Sequence, residues 1–268
     1  MTNGPDAERE TKSRTDDEYD VAVVGGGVAG LSASTFTARD GLSTLVLDAG
    51  ESILRRNAHL ENFPGFPAGV NARLLLEMLG DQAETAGADR QTATVETVET
   101  SDTDEPSESD GHGFVVETVD GQRYRSQYVI AATKNITDYL DGIEGVGIVD
   151  RGKSYVDTDE RGRTGVDGLY AAGRLAEKPH QAIVCAGHGA EVAVTLLEDA
   201  DRGFYHDWVA PEGYFSDRDR EVPPGCEEID AAEREQREAA SLDAMSEYFA
   251  EPHPDEQETH PSLREESE

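Results

Sequence analysis

Cysteine and lysine are scarce in this chain. Its 268 residues include two cysteines, Cys185 and Cys226, and four lysines. The cysteines stand 41 residues apart in dissimilar surroundings, so the sequence has neither a C-x-x-C redox pair nor a cysteine cluster suited to a metal. Disulfide exchange would need a thiol from elsewhere, and we expect no metal site.

Positive charge and long apolar runs are also lacking. The sequence has 57 acidic against 23 basic residues, a formal net charge of −34, and no apolar run long enough to span a bilayer. Its electric field repels nucleic acid and anionic membrane surfaces. The N-terminal segment is polar and acidic, unlike a signal peptide. We therefore expect a cytoplasmic protein that has neither nucleic acid nor membrane as a partner.

The charge that is present resembles that of proteins from salt-loving archaea. Most basic residues are arginine, and carboxylates are spread along the whole chain. A dense carboxylate surface keeps its hydration at molar salt, where screening removes most of the self-repulsion. The composition predicts a halophilic protein of haloarchaeal type. The alternative is an acidic protein with disordered tails.

Length and composition predict one domain between two acidic segments. Residues 1–18 lack an apolar period, so we expect them to be disordered. Residues 19–200 are expected to form the domain, because a chain of this length buries one sizeable core. Residues 201–268 are expected to be an acidic extension, helical near 227–250 and disordered at its end.

Alternating strand and helix patterns predict an α/β fold for that domain. Buried strands are expected at 19–24, 44–47, 128–132 and 168–172, with helices from the first glycines to about Arg39, at 71–87 and at 181–197. Pieces that favour β structure at about 92–126 predict a small inserted antiparallel β-meander. The pattern therefore predicts a central parallel sheet with helices on both faces.

A glycine fingerprint follows the first strand and begins the first helix. Gly25, Gly27 and Gly30 fit G-x-G-x-x-G, in which glycines allow a tight turn and a close approach of backbone to a pyrophosphate. Asp48 ends the next strand, where a carboxylate accepts hydrogen bonds from an adenosine ribose. An acidic residue there favours FAD or NAD over NADP. The residues expected at the pyrophosphate are Gly25, Gly27, Val28, Ala29 and Gly30.

Four motifs in order carry a resemblance to a known family. The stretches are VAVVGGGVAGLSAS, ENFPGFP, VIAAT and GLYAAGRLAEKPHQAIVCAGHGAEVA, and the resemblance covers roughly residues 19–198. Together they resemble the flavin domain of the thioredoxin reductase-like, pyridine nucleotide-disulfide oxidoreductase family. The resemblance implies a Rossmann-type FAD-binding domain that commonly dimerises. It places Asn62 beside the isoalloxazine, and Thr133, Gly173, Gln181 and Ala182 along the cofactor.

The chain departs from the family pattern at three places. Lys134 stands where the family has the glycine of Ala-Thr-Gly, and Arg174 stands where it has the aspartate of Gly-Asp. Arg174 is a candidate partner for a flavin phosphate or for a surface carboxylate. Only about 35 residues separate Thr133 from Gly168, where the family inserts a nicotinamide domain with its C-x-x-C. No second glycine fingerprint occurs in the sequence.

Two residues near the expected flavin are weak catalytic candidates. His180 precedes the last helix of the domain, whose positive N-terminal end would stabilise a reduced flavin, and Cys185 lies within that helix. An exposed loop histidine and a buried structural cysteine are the alternatives.

Three functions fit the sequence. The first is an FAD-dependent oxidoreductase that takes electrons from NAD(P)H or from a protein partner. A degenerate nucleotide-binding module that acts through partners is the second. A plain NAD-dependent dehydrogenase is the third, although it would lack a recognisable substrate domain.

Overall fold

The computed structural model describes residues 18–101, 113–202 and 207–263. Expectations for residues 1–17, for the acidic loop after Ser101 and for the last five residues fall outside the described residues. Eleven strands are described in these ranges: β1 (Glu18–Val24), β2 (Thr44–Asp48), β3 (Asp89–Thr92), β4 (Val95–Ser101), β5 (Gly113–Thr118), β6 (Arg123–Ala131), β7 (Ile148–Asp150), β8 (Ser154–Val156), β9 (Leu169–Ala171), β10 (Trp208–Pro211) and β11 (Cys226–Ile229). The α-helices there are α1 (Val28–Arg39), α2 (Ala72–Ala86), α3 (Ala182–Asp199) and α4 (Ala231–Tyr248).

The main sheet confirms the predicted α/β fold with a parallel centre and an antiparallel meander. Strands β3, β2, β1 and β6 are neighbours in that order, and all their pairings are parallel. The C-terminal half of β6 also pairs in parallel with β9. Its N-terminal half pairs antiparallel with β5, which in turn pairs antiparallel with β4. The long strand β6 therefore belongs to both parts of the sheet.

Strand β3 differs from the sequence prediction, which had one β piece beginning near residue 92. Instead, Asp89–Thr92 forms a parallel edge strand beside β2, and β4 begins separately at Val95. All four side chains of β3 are exposed. A strand without a buried face has no apolar alternation, so nothing in its pattern distinguished it from a loop.

The helices pack on one face of the sheet, which corrects the expectation of helices on both faces. Buried side chains of α1, α2 and α3 share one apolar cluster with Val21 and Val23 of β1. Ala22 and Val24, on the opposite face, pack instead with Val98, Phe114 and other side chains of the meander. The apolar inner face of the meander thus takes the place of the second helical layer.

A short antiparallel hairpin, β7 and β8, lies between β6 and β9 in the chain. Residues 132–168, all of them described, contain this hairpin, a short 3-10 helix at Asp138–Leu140, and loops. The hairpin packs beside the turn that follows β9, where Arg174 bonds Tyr155 of β8. It therefore lies at the edge of the sheet where the parallel strands end.

The segment after β11 packs on the rest of the chain through polar and aromatic contacts, among them Phe249 with Phe66, whose ring centroids lie 6.2 Å apart. Helix α4 lies inside the predicted range 227–250, and its last residue, Tyr248, donates to Asp81 of α2 at 2.7 Å. Further along, the backbone N–H of Glu258 donates to the Arg55 carbonyl at 2.9 Å. No helix in the described ranges is both long and apolar enough to cross a membrane.

Candidate functional site

The turn between β1 and α1 requires glycine at two positions. Gly25 has φ +109°, and a Cβ on it would lie 2.7 Å from the Ala132 carbonyl oxygen, just past β6. A Cβ on Gly30 would overlap the Gly25 carbonyl oxygen. Because backbone atoms cannot give way as side chains do, both positions exclude larger residues. The turn therefore holds the start of α1 tightly against the ends of β1 and β6.

No side chain in the described part of the chain caps the N-terminus of α1. Its N-cap is Gly27, which offers no side chain, and the first turn contains no acidic residue. The first N–H groups of a helix lack intrahelical partners, and the helix dipole adds partial positive charge there. The backbone of Val28, Ala29 and Gly30, predicted at the pyrophosphate, thus presents an anion-binding end.

Asp48 lies where the sequence places it, at the end of β2 and half-buried. A Cβ on Gly26 would lie 2.5 Å from its carboxyl carbon, so the carboxylate packs directly on the glycine turn. Within the described part of the chain this carboxylate makes no hydrogen bond to another residue. Its oxygens are therefore available as acceptors beside the start of α1.

Two predicted cofactor residues far apart in sequence meet in the structure. Asn62 donates from its side-chain amide to the Gln181 side-chain oxygen at 2.8 Å. The bond joins the loop of residues 61–67, which borders a concavity of about 500 Å³, to the N-cap of α3. Like α1, α3 has no side-chain cap and no acidic residue in its first turn, which Ala182 begins. A second helix N-terminus thus faces the same edge of the sheet.

The end of β9 is fixed by a buried histidine that the sequence did not single out for a role. The Gly173 N–H donates to His188 Nδ1 at 2.9 Å, and the His188 side chain is buried in α3. Burial lowers the pKa of His188 to about 4, so the ring is neutral at pH 7. Gly173 has φ +63°, and a Cβ on it would lie 2.6 Å from Ala29 Cβ. The sequence could not predict this hydrogen bond, because Gly173 and His188 are 15 residues apart and meet only through the packing of α3.

Arg174 and Thr133 both make contacts within the protein. The Arg174 guanidinium donates to the Tyr155 hydroxyl at 2.5 Å and to the Lys178 carbonyl at 3.0 Å, and it lies 4.8 Å from the Tyr155 ring centre. The Thr133 hydroxyl lies 2.6 Å from the Ile136 carbonyl oxygen, to which it donates, and 2.9 Å from the Tyr139 hydroxyl. Arg174 therefore bonds neutral groups in the structure, neither of them a carboxylate.

The two weak catalytic candidates differ in exposure. Cys185 is buried, its thiol lies 3.5 Å from the Pro179 carbonyl, and burial raises its pKa, which disfavours the reactive thiolate. His180 is exposed, and its pKa is lowered by partial burial and then by Arg174, Lys134 and Lys153. In the described ranges no three His, Cys, Asp or Glu side chains group as metal ligands would.

Comparisons with known proteins agree with this geometry. The FAD binding domain family matches residues 20–58, which contain the glycine turn and Asp48. Thioredoxin reductase of Aquifex aeolicus is 33% identical over 120 residues, 44% of this chain and 34% of that protein. The bifunctional thioredoxin reductase/thioredoxin of Mycobacterium leprae is 32% identical over 132 residues, 48% of this chain and 27% of that protein. The chain thus spans about a third of the length of these relatives.

Solved structures show the same fold. Thioredoxin reductase from Gloeobacter violaceus matches with a TM-score of 0.59 at 18% identity, over 70% of this chain and 98% of that one. Thioredoxin reductase from T. acidophilum matches with a TM-score of 0.60 at 18% identity, over 69% of this chain and all of that one. The comparisons confirm the resemblance to thioredoxin reductase-like FAD-binding proteins, and they indicate FAD as the cofactor.

Proposed function

We propose that residues 19–200 form the FAD-binding domain of an FAD-dependent oxidoreductase. The observation that carries this proposal is the convergence of three acceptor or donor groups on one edge of the sheet. They are the uncapped N-terminus of α1, the Asp48 carboxylate and the bonded pair Asn62 and Gln181. Asp48 at the end of β2 would face the adenosine ribose, the start of α1 after the neighbouring strand β1 would face the pyrophosphate, and Asn62 with Gln181 would face the isoalloxazine. This is the order of these parts in FAD.

The chain's residues would bind and orient the cofactor. The N–H groups of the first turn of α1 would hold the pyrophosphate, and Asp48 would accept from the ribose hydroxyls. Asn62 and Gln181 would fix the isoalloxazine side next to the N-terminus of α3, whose partial positive charge favours negative charge on that side. When bound, FAD supplies the chemistry of taking up and passing on hydride or electrons.

We propose that the electron donor, NAD(P)H or a protein, approaches from outside this domain. The segment between β6 and β9 contains a hairpin where the family has its nicotinamide domain. The two cysteines are not spaced as a redox pair, and Cys185 is buried. The flavin itself would then exchange electrons with both donor and acceptor.

We also propose that the protein is halophilic and cytoplasmic, on the grounds of its composition, and that it forms homodimers, on the grounds of the family resemblance.

A nucleotide-binding module without its own turnover is the second candidate. It is favoured by Arg174, whose guanidinium is held by Tyr155 where the family has a carboxylate for the ribityl chain. An anaerobic titration of the FAD-loaded protein separates the two candidates. Reduction of the flavin by NADH or NADPH, followed by reoxidation with an acceptor dye over many cycles, supports the oxidoreductase. Flavin that neither dithionite nor a nicotinamide reduces supports the module, whereas flavin that dithionite alone reduces supports an oxidoreductase with a protein donor.

The titration needs a control for adventitious flavin. Asp48→Asn keeps the size of the side chain but removes the charge that packs on the glycine turn. We expect it to weaken FAD binding about tenfold, because charged hydrogen bonds are worth roughly 1.5–3 kcal/mol. If the variant and the wild type retain flavin equally, the flavin is bound somewhere other than this edge of the sheet.

A further inference from the structure

Basic side chains gather at the edge of the sheet where the proposed cofactor would lie. Arg56 ends the turn after β2, Lys134 follows β6, and Arg174 follows β9. These three strands are parallel to β1, so their ends lie at one edge. The turn of Arg56 also begins beside α1, since Ser52 Oγ would lie 3.7 Å from a Cβ on Gly27. Three loops thus bring cations to the start of α1.

The β7–β8 hairpin adds a fourth cation. Lys153 lies in its turn, two residues before Tyr155, and Tyr155 is the residue that bonds Arg174. Lys134 is half-buried and has φ +66°, a conformation that glycine adopts more readily. Its pKa is lowered, first by burial and then by Lys153, Arg56 and Arg174. Lys134 is therefore close enough to the other three cations for their charges to raise its electrostatic energy.

No carboxylate among the described residues forms an ion pair with a member of this cluster. The chain carries a net charge of −34, yet no ion pair between described residues involves Arg56, Lys134 or Lys153. Arg151, on the same hairpin, pairs with Glu177 at 3.4 Å. Keeping like charges together without direct ion-pair partners costs free energy, which an anionic ligand would offset.

The pyrophosphate of FAD does not balance the cluster. It carries roughly two negative charges and would already be held by the N-terminus of α1. Arg56, Lys134, Lys153 and Arg174 together supply four positive charges. We propose that these four residues bind the phosphate groups of a second, phosphate-bearing substrate next to the flavin. The inference rests on the proposed function, which it deepens by naming the class of substrate.

The test is calorimetric titration of sodium pyrophosphate into the FAD-saturated protein. The buffer contains the lowest KCl concentration that leaves the far-ultraviolet circular dichroism unchanged, because salt screens such contacts. We expect saturable binding of one pyrophosphate per chain. Lys153→Gln should weaken it about three- to tenfold, the effect of one solvent-exposed charge some 6 Å away at an effective dielectric constant of about 40–80. The matched control is Arg151→Gln, which removes a paired cation from the same hairpin and should change the affinity less than about twofold.

The outcomes separate this inference from the proposed function. Absence of saturable binding to the FAD-saturated wild type, or equal weakening by both substitutions, would overturn the inference. Binding to the apoprotein that is lost when FAD is added would also overturn it, because the cluster would then serve the flavin's own pyrophosphate. A protein that takes up no FAD but binds pyrophosphate through Lys153 would contradict the proposed function and support the anion site.

Discussion

Two glycines of helix α3 should respond in opposite ways to the same substitution. A Cβ on Gly189 would overlap the Ala29 carbonyl oxygen and would lie 2.8 Å from the Ala29 carbonyl carbon, where α3 crosses α1. A Cβ on Gly187 would meet no atom within 4 Å. The two positions share a helix and differ by two residues, so Gly187→Ala is a matched control for Gly189→Ala.

The expected free energies differ in sign. Gly187→Ala should stabilise the protein by about 0.5–1 kcal/mol, because alanine loses less backbone entropy in a helix. Gly189→Ala should destabilise it by about 3 kcal/mol or more, since the obstructing atoms are backbone and the helices must separate. For a domain of this size these values correspond to about 2 °C upwards and about 6–12 °C downwards in the unfolding midpoint.

Thermal unfolding of the apoprotein at one fixed salt concentration measures both changes. An FAD titration of the Gly189→Ala protein then tests the site, because Ala29 is in the first turn of α1. We expect weaker FAD binding for Gly189→Ala and unchanged binding for Gly187→Ala. The reasoning would be refuted if Gly189→Ala left the midpoint and the FAD affinity unchanged, or if both variants shifted the midpoint in the same direction.

Three further predictions concern single residues. Asn62→Ala removes the hydrogen bond to Gln181 and should weaken FAD binding about fivefold, roughly 1 kcal/mol, in a flavin-fluorescence titration; an unchanged affinity would argue against this loop as part of the site. Burial lowers the pKa of His188 to about 4 in the folded protein, so folding favours the neutral ring. The stability of the fold is therefore highest above the unfolded pKa near 6.5, and it falls as the pH falls towards 4 and the unfolded chain takes up the proton. Between pH 7 and pH 4.5 the loss should be about 2 kcal/mol, and His188→Gln should lack this part of the pH dependence of the unfolding free energy. Lys134→Gly should raise the free energy of unfolding of the apoprotein in urea by up to about 1 kcal/mol, because the residue has φ +66°, a left-handed conformation that glycine adopts without strain. A lower free energy of unfolding would mean that contacts of the lysine side chain stabilise the fold by more than its backbone conformation destabilises it.

The parts of the structure that were predictable follow from local patterns. Strand β1, the glycine turn and helix α1 each have a signature within a few residues, and so does Asp48 at the end of β2. The fold class followed from the order of these elements. Strand β3 was missed because its four side chains are all exposed, and an edge strand of that kind has no apolar period.

Long-range contacts account for the parts of the site that sequence reasoning missed. His188 is defined by its bond to Gly173, and Gly189 by its approach to Ala29 on another helix. The direction of the Arg174 side chain depends on Tyr155, which the β7–β8 hairpin brings to the end of β9. The covering of the second sheet face by the meander likewise depends on tertiary packing. Each of these partners becomes visible only when the chain is folded.

The absorbance spectrum of the purified protein, before and after addition of excess FAD at about 2–3 M KCl, tests the central claim most directly. After removal of free flavin by gel filtration, the account predicts bands in the near-ultraviolet and blue corresponding to one flavin per chain. A spectrum without these bands, from a protein whose circular dichroism shows it to be folded, would contradict the assignment of this edge of the sheet to FAD.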